Sequence, residues 1–143
     1  MMRFLLDTDI FSDFLQNHPT VIATVVRHLN SHVAISIISV EEIWDGWKAA
    51  LRKAKSHDDT GLAYDRLTAT LTELKDWTVV SYDILSVARY ESLKKLKLNV
   101  GTSDLKIAAI ALETNATVVT RNVRDFARIP GLQIEDWSRS ANS

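Results

Sequence analysis

Apolar residues along this chain fall into short runs that alternate with stripes at helical spacing. Phe4-Leu5-Leu6 is an apolar run that stops at Asp7 and predicts a buried strand. Ile10, Phe11, Phe14 and Leu15 then recur at helical spacing up to Asn17. Pro19 suits the first turn of a second helix, with Val21, Ile22, Val25, Val26 and Leu29 on its apolar side. Val33-Ala34-Ile35-Ser36-Ile37 is apolar apart from its serine and rich in β-branched residues, which predicts a central strand. Ser39 is expected to open a long helix reaching about Lys55. The polar stretch Ser56 to Gly61 reads as a separator before a helix from Leu62 to Leu74. Trp77 to Val80 predicts a third strand, and Asp83 caps a helix from Ile84 to about Leu96. After a loop from Asn99 to Thr102, Ser103 is expected to cap a helix from Asp104 to Glu113. Its Ile107, Ala108, Ile110, Ala111 and Leu112 mark it as buried. Thr117 to Thr120 predicts a fourth strand and Leu132-Gln133-Ile134 a short fifth.

This alternation predicts βαβ units, a short, mainly parallel central sheet and a three-layer α/β/α domain. In such sheets ligands sit beyond the carboxyl ends of the strands. Attention therefore falls on Asp7, on the segment after Ser36 and on the segment after Thr120. The length of 143 residues and the 46% hydrophobic, 24% charged composition fit one domain, expected at 1–137 with a polar tail at 138–143. With no cysteine, the chain has no disulfide framework, thiolate metal site or cysteine nucleophile. The longest apolar stretch, Val33 to Val40, is broken by Ser36 and Ser39 and falls far short of the ~18 residues of a membrane span. The segment before Asp7 is too short for a signal peptide, so a cytoplasmic location and no membrane partner are expected. With 17 basic against 18 acidic residues, any nucleic-acid contact has to come from local patches or from a metal that offsets acids at the site.

Acidic residues stand just past the predicted strand ends: Asp7, then Glu41 and Glu42, then Asp104 and Asp125. Each has an ordinary structural reading. Ser39-Val40-Glu41-Glu42 has the form of a capping box, in which Glu42 bonds back to the Ser39 amide. Asp7 is placed to cap the first helix, Asp104 to gain about 0.3–1 kcal/mol from a helix dipole, and Asp125 to sit in a solvated turn. Gathered at one sheet edge, however, two carboxylates about 5 Å apart at an effective dielectric of about 20 repel by roughly 3 kcal/mol. Such a cluster persists when a cation neutralises it or when some members stay protonated. Hard oxygen donors without histidine or cysteine favour Mg²⁺ or Mn²⁺, and the chemistry served best is phosphodiester or phosphoryl transfer.

The chain resembles the PIN-domain ribonucleases, and within them the VapC toxins of bacterial toxin–antitoxin pairs. The resemblance rests on Leu5-Leu6-Asp7-Thr8-Asp9-Ile10, on Ile35-Ser36 followed by Glu42-Ile43-Trp44-Asp45-Gly46, and on Gly101-Thr102-Ser103-Asp104-Leu105-Lys106-Ile107-Ala108-Ala109. It continues through Val119-Thr120-Arg121-Asn122-Val123-Arg124-Asp125-Phe126, Ile129-Pro130-Gly131-Leu132 and Glu135-Asp136-Trp137. It implies a PIN-like fold and a metal-dependent endoribonuclease leaving a 5′-phosphate and a 3′-hydroxyl. It makes Asp7, Glu42 and Asp104 the metal-binding acids, with Asp125 as the fourth acid and Asn122 as a neutral oxygen or water contact. Thr8 and Ser36 match positions close to the metal, while Asp9 stands where many relatives have Asn. It also implies a VapB-like antitoxin and a homodimer.

Arg121, Arg124 and Arg128 follow strand four and are expected to face the RNA backbone. Two further basic stripes, Lys48 with Arg52, Lys53 and Lys55, and Lys94 with Lys95 and Lys97, read as solvated helix faces. Trp44 and Trp47 belong either to the core or to a groove for an apolar antitoxin helix. His18, His28, His32 and His57 lack metal-ligand spacing and read as surface or loop residues. Two rival functions stand beside the nuclease. One is a haloacid-dehalogenase-like phosphatase using Asp7 and Asp9, although Phe11 occupies the place of that signature's Thr or Val. The other is a PIN-like module that binds without cutting.

Overall fold

The computed structural model describes residues 3–140. Five strands, β1 (Phe4–Leu6), β2 (Val33–Ser36), β3 (Thr78–Val80), β4 (Thr117–Val119) and β5 (Ile134–Glu135), form one sheet in the order β3-β2-β1-β4-β5. All four pairings are parallel, with Leu6 opposite Ile35 on one side and Val119 on the other. Seven helices connect or cover them: α1 (Thr8–Leu15), α2 (Pro19–Arg27), α3 (Ile37–Lys53), α4 (His57–Leu74), α5 (Ile84–Lys95), α6 (Thr102–Thr114) and α7 (Val123–Phe126).

Side chains alternate across a strand, so each strand of the central three feeds both faces of the sheet. Leu5, Ala34 and Val118 point to one face, where they pack with Leu93 of α5, Phe126 of α7 and Leu105, Ile107, Ala108 and Ile110 of α6. Phe4, Leu6, Ile35 and Val119 point to the other and meet Ile10, Phe11, Val21, Val25 and Trp137. Two apolar layers on one sheet make the three-layer α/β/α architecture. On the second face Trp77 is met edge-on by Phe11 and Phe14 at 4.9 and 5.0 Å, which closes the layer beneath the end of α4.

Several boundaries differ from the sequence expectation, each for a local reason. The cap of α3 is Ser36, not Ser39. Ser36 ends β2 in an extended conformation, and its Oγ accepts from the Ser39 amide at 3.2 Å, whereas Ser39 already lies inside the helix. The polar stretch Ser56 to Gly61 is the start of α4 rather than a separator. Ser56 caps it by accepting from the Asp59 amide at 3.0 Å, and Asp58 and Asp59 suit its positive end. α6 begins at Thr102 after Gly101, which offers no side-chain cap, so Ser103 is not its cap. β5 lies slightly later than expected, because Ile134 and Glu135 register with Val118 and Val119. The Asp83 cap and Pro19 at the start of α2 stand where expected. No helix among the described residues is long and apolar enough to cross a membrane. Of the expected polar tail, Ser138 is tied to Asp136 through its amide at 2.8 Å, and residues 141–143 lie outside the described residues.

Because Ile110 is fully buried in the middle of α6, Ile110→Ala should destabilise the protein by about 2–5 kcal/mol in urea unfolding. The same truncation at the exposed Val123 should stay within about 0.5 kcal/mol.

Candidate active site

Parallel strands place the starts of α1, α3, α6 and α7 at the carboxyl edge of the sheet, and the acids ride on those starts. Asp7 follows β1 directly and caps α1, with its Oδ1 accepting from the Ile10 amide at 2.9 Å. Its side chain is buried. The Thr120 hydroxyl also bonds to it, while that hydroxyl's oxygen accepts from the Asn122 amide at 2.8 Å. Asp7 is therefore both the structural cap and the central acid.

Burial pushes the Asp7 carboxyl up to about 6. The Thr120 and Ile10 hydrogen bonds pull the other way, and the charges of Asp9 and Asp104 raise it further. Asp104, half-buried in the first turn of α6, is raised first by burial and then by the charge of Glu42, with Asp9 and Asp125 adding to it. The negative fields of Asp7, Asp9, Glu42, Asp104 and Asp125 thus overlap at one edge. Among the described residues, no three histidine, aspartate or glutamate side chains stand close enough to ligate a single ion as they are. Like charges held near one another but out of contact are the expected resting arrangement, since closer approach costs several kcal/mol of repulsion.

Glu42 does not close a capping box. Its Oε1 instead accepts from the Thr8 hydroxyl at 2.6 Å, across to α1, and Thr8 Oγ1 lies 2.9 Å from Ser39 Oγ. Glu41, its neighbour, is exposed. Asn122 Nδ2 donates to Asp125 Oδ2 at 2.9 Å and reaches Asp104 Oδ2 at 3.5 Å, bridging the two acids. Ser36 is fully buried and serves as the α3 cap.

The three arginines after β4 have separate fates. Arg128 pairs with Asp125 Oδ1 at 3.1 Å and donates to the Asn99 carbonyl at 2.8 Å, tying α7 to the loop before α6. Arg121 faces Asp13 at 3.3 Å and Asp9 at 4.0 Å. Arg124 is exposed and makes no ion pair among the described residues. Two of the three arginines expected at the RNA backbone thus engage protein carboxylates, and Arg124 does not. The lysines and arginine of the remaining basic stripes are exposed.

Beside Glu42 and Thr8 opens a groove of about 970 Å³ between α1, α3 and α4, lined by Phe14, Leu15, Ile43, Trp47, Arg66 and Glu73 among others. Neither tryptophan is core: Trp47 is half-buried in the groove wall, and Trp44 is 47% exposed outside it. Two histidines have structural work beyond a surface position. His18 Nδ1 caps α2 at the Val21 amide, and His28 stacks on Trp137 at 4.5 Å.

Sequence reasoning did not single out Thr120, Ser39 or Asp13 as parts of this edge. Their hydroxyls and carboxylate act across elements, and the only available signal was their place one or a few residues from an acid in the chain.

Residues 4–132 match the family model described as PIN domain. The chain belongs to the PIN-domain family, and within it to the VapC proteins. It is 31% identical over 140 residues to ribonuclease VapC2 of Rickettsia felis, covering 96% of this chain and 100% of that protein. It is also 31% identical over 137 residues to the tRNA(fMet)-specific endonuclease VapC of Salmonella typhimurium, covering 96% and 99%. Among solved structures, a chain of the DNA-bound VapBC from Salmonella typhimurium superposes with a TM-score of 0.79 at 27% identity, over 96% of this chain and 99% of that one.

Raising a buried acid has a thermodynamic sign. The folded state holds the Asp7 proton more tightly than the unfolded chain does, so this contribution favours folding below about pH 4 and is lost as pH rises through about 6. At 1.36 kcal/mol per pKa unit, carrying Asp7 ionised costs about 3 kcal/mol near pH 7. Asparagine caps a helix as well as aspartate. Metal-free Asp7→Asn should therefore be more stable than the parent by about 1–3 kcal/mol at pH 7 and no more stable at pH 4, as read by urea unfolding.

Proposed function

We propose that this protein is a metal-dependent endoribonuclease and the toxin of a VapBC-type pair. The observation that carries this reading is the convergence of Asp7, Glu42 and Asp104 on one sheet edge, with burial and mutual charge raising two of them. A scaffold gains nothing from carboxylates that repel one another, whereas a hydrolytic metal site requires them. The relatives named ribonuclease and tRNA(fMet)-specific endonuclease support the nuclease activity and RNA as substrate. The crystallised VapBC relative supports a VapB-like antitoxin partner.

The all-oxygen donor set fits a hard divalent cation, Mg²⁺ or Mn²⁺. Asp7, Glu42 and Asp104 would hold it, with Asp125 or Asn122 as the fourth donor. Such a cation, when bound, lowers the pKa of the attacking water and offsets charge on the phosphate oxygens. The chain's own residues supply the rest. The Ile10 amide and Thr120 hydroxyl orient Asp7, Thr8 orients Glu42, and Asn122 keeps Asp104 and Asp125 in register. Arg128 neutralises part of Asp125, which makes Asp125 the weakest acid donor of the set. Arg124 is free to meet a backbone phosphate. The water oxygen bonds to phosphorus as the bond from phosphorus to O3′ breaks, leaving a 5′-phosphate and a 3′-hydroxyl.

The groove between α1, α3 and α4 is the proposed antitoxin seat. Its apolar lining suits an amphipathic helix, and Glu42 is part of that lining, so an occupant there also contacts Glu42. The phosphatase alternative finds no support in the site. Asp9, its would-be acid/base, is exposed and faces Arg121.

Purified protein should cleave RNA in Mg²⁺, yield 5′-phosphate ends, and lose activity on chelation. Asp7→Asn and Asp104→Asn should each lower the rate by roughly 100-fold or more, and Asp125→Asn by less. Magnesium-independent binding without cleavage would instead identify a binding module. In a calorimetric titration with a VapB-like antitoxin, Trp47→Ala should weaken the complex by about 2 kcal/mol and Trp44→Ala by much less.

A further inference from the structure

Ser39 is fully buried at the start of α3, and its hydroxyl does not do what other helical hydroxyls of this protein do. Thr24, Thr70 and Thr114 each bond back to the carbonyl four residues earlier in their own helix. Ser39 makes no such bond among the described residues. Its Oγ lies instead 2.9 Å from Thr8 Oγ1 on the neighbouring helix, and Thr8 Oγ1 lies 2.6 Å from Glu42 Oε1.

The direction of these bonds follows from counting hydrogens. The Glu42 carboxylate has none to give, and 2.6 Å is the length of a hydroxyl-to-carboxylate bond, so the single Thr8 hydrogen goes to Glu42. The contact between Ser39 and Thr8 is then carried by the Ser39 hydrogen. The result is a one-way chain, Ser39 to Thr8 to Glu42, in which each donation strengthens the next. Ser39 is itself fixed, because its amide is held by Ser36 Oγ at 3.2 Å. Glu42 is the longest side chain among the proposed ligands and has the most rotamer freedom to lose. The chain pins its Oε1 and ties Glu42 on α3 to Thr8, the residue after Asp7.

We propose that Ser39 is a positioning residue of this site, acting through Thr8 to restrain the Glu42 carboxylate so that less side-chain freedom is lost when a cation binds. The proposal rests on reading this edge as the site of RNA hydrolysis. The full-length chain is compared with Ser39→Ala, Ser39→Thr, Thr8→Val and the Ser39→Ala/Thr8→Val double variant. Three quantities are measured: kcat and KM for RNA cleavage in Mg²⁺, the Mn²⁺ dissociation constant without RNA by electron paramagnetic resonance, and urea unfolding.

Ser39→Ala should lower kcat and weaken Mn²⁺ binding, each by roughly five- to tenfold, with KM changed less than about twofold. Ser39→Thr, which restores the hydroxyl, should recover most of both. In the Thr8→Val background, Ser39→Ala should add less than about twofold, because the chain is already cut at Thr8. The proposal is overturned if Ser39→Ala leaves Mn²⁺ affinity unchanged, or if its full factor multiplies onto Thr8→Val, as a general packing defect would. Should Ser39→Ala fail to fold, Ser39→Cys, with a weak donor of similar size, carries the same expectations. If the parent chain cleaves no RNA, the proposed function falls, and the Mn²⁺ affinities alone decide the role of Ser39.

Discussion

Negative charge crowded at the carboxyl edge of a small parallel sheet is the constraint around which this protein is organised. Asp7 is the extreme case: its carboxyl is buried next to fully apolar strand residues, and burial is the main reason that it holds its proton so strongly. Among the described residues, fixed donors offset this cost and no lysine or arginine pairs with Asp7. The Ile10 amide and the Thr120 hydroxyl face Asp7, the Thr8 hydroxyl faces Glu42, and the Asn122 amide faces Asp104 and Asp125. Dipoles of this kind orient an anion without cancelling its charge, which leaves the edge electrostatically attractive to a cation. Among the described residues, guanidinium partners at this edge stand on Asp125 and between Asp9 and Asp13.

That arrangement is possible because the scaffold beneath it is rigid. α6 is buried along most of its length, and it brings Asp104 to the edge with Leu105, Ile107, Ala108 and Ile110 locked into the layer below. β1 lies between β2 and β4, so the residue leaving it emerges at the centre of the edge. Asp7 is thereby surrounded by helix starts, whose amides add positive potential where the acids add negative. Stability and chemistry compete at this one residue, since the cap is kept by asparagine while the charge is not. Glu42 and Thr8 line the groove, so whatever fills it also sits against Glu42.

Much of this was legible in the chain itself. Short apolar runs at Phe4 to Leu6, Val33 to Ser36 and Thr117 to Val119 are strands because nothing else buries on both faces at that length, and the apolar girth of α6 marked it as interior. Strand order along the chain, with the sheet read as parallel, put Asp7, Glu42, Asp104 and Asp125 at one edge, and their selection as the acids of the site came from the family resemblance. Local chemistry was read less well where two small polar residues competed for one task. Ser36 and Ser39 both look like caps for α3, and the choice depends on where the strand stops, a matter of register with β1 and β3. The polar start of α4 hid a helix because its exposed positions need no apolar residues.

Sequence alone indicated the layers and put acidic residues near the predicted strand ends, because these follow from periodicity and from residue order along the chain. The choice of Asp7, Glu42 and Asp104 among those acids came from the family resemblance. Only the tertiary structure decided which partner each polar side chain takes. Glu42 turns to Thr8 rather than to its own helix, Arg121 and Arg128 are held by protein carboxylates while Arg124 is not, and Trp47 enters the groove while Trp44 faces solvent. The physical reason is range. A hydrogen bond or ion pair is set within about 3–4 Å, and residues 31 and 34 positions apart, such as Thr8 with Ser39 and Glu42, come within that distance only after the helices have packed.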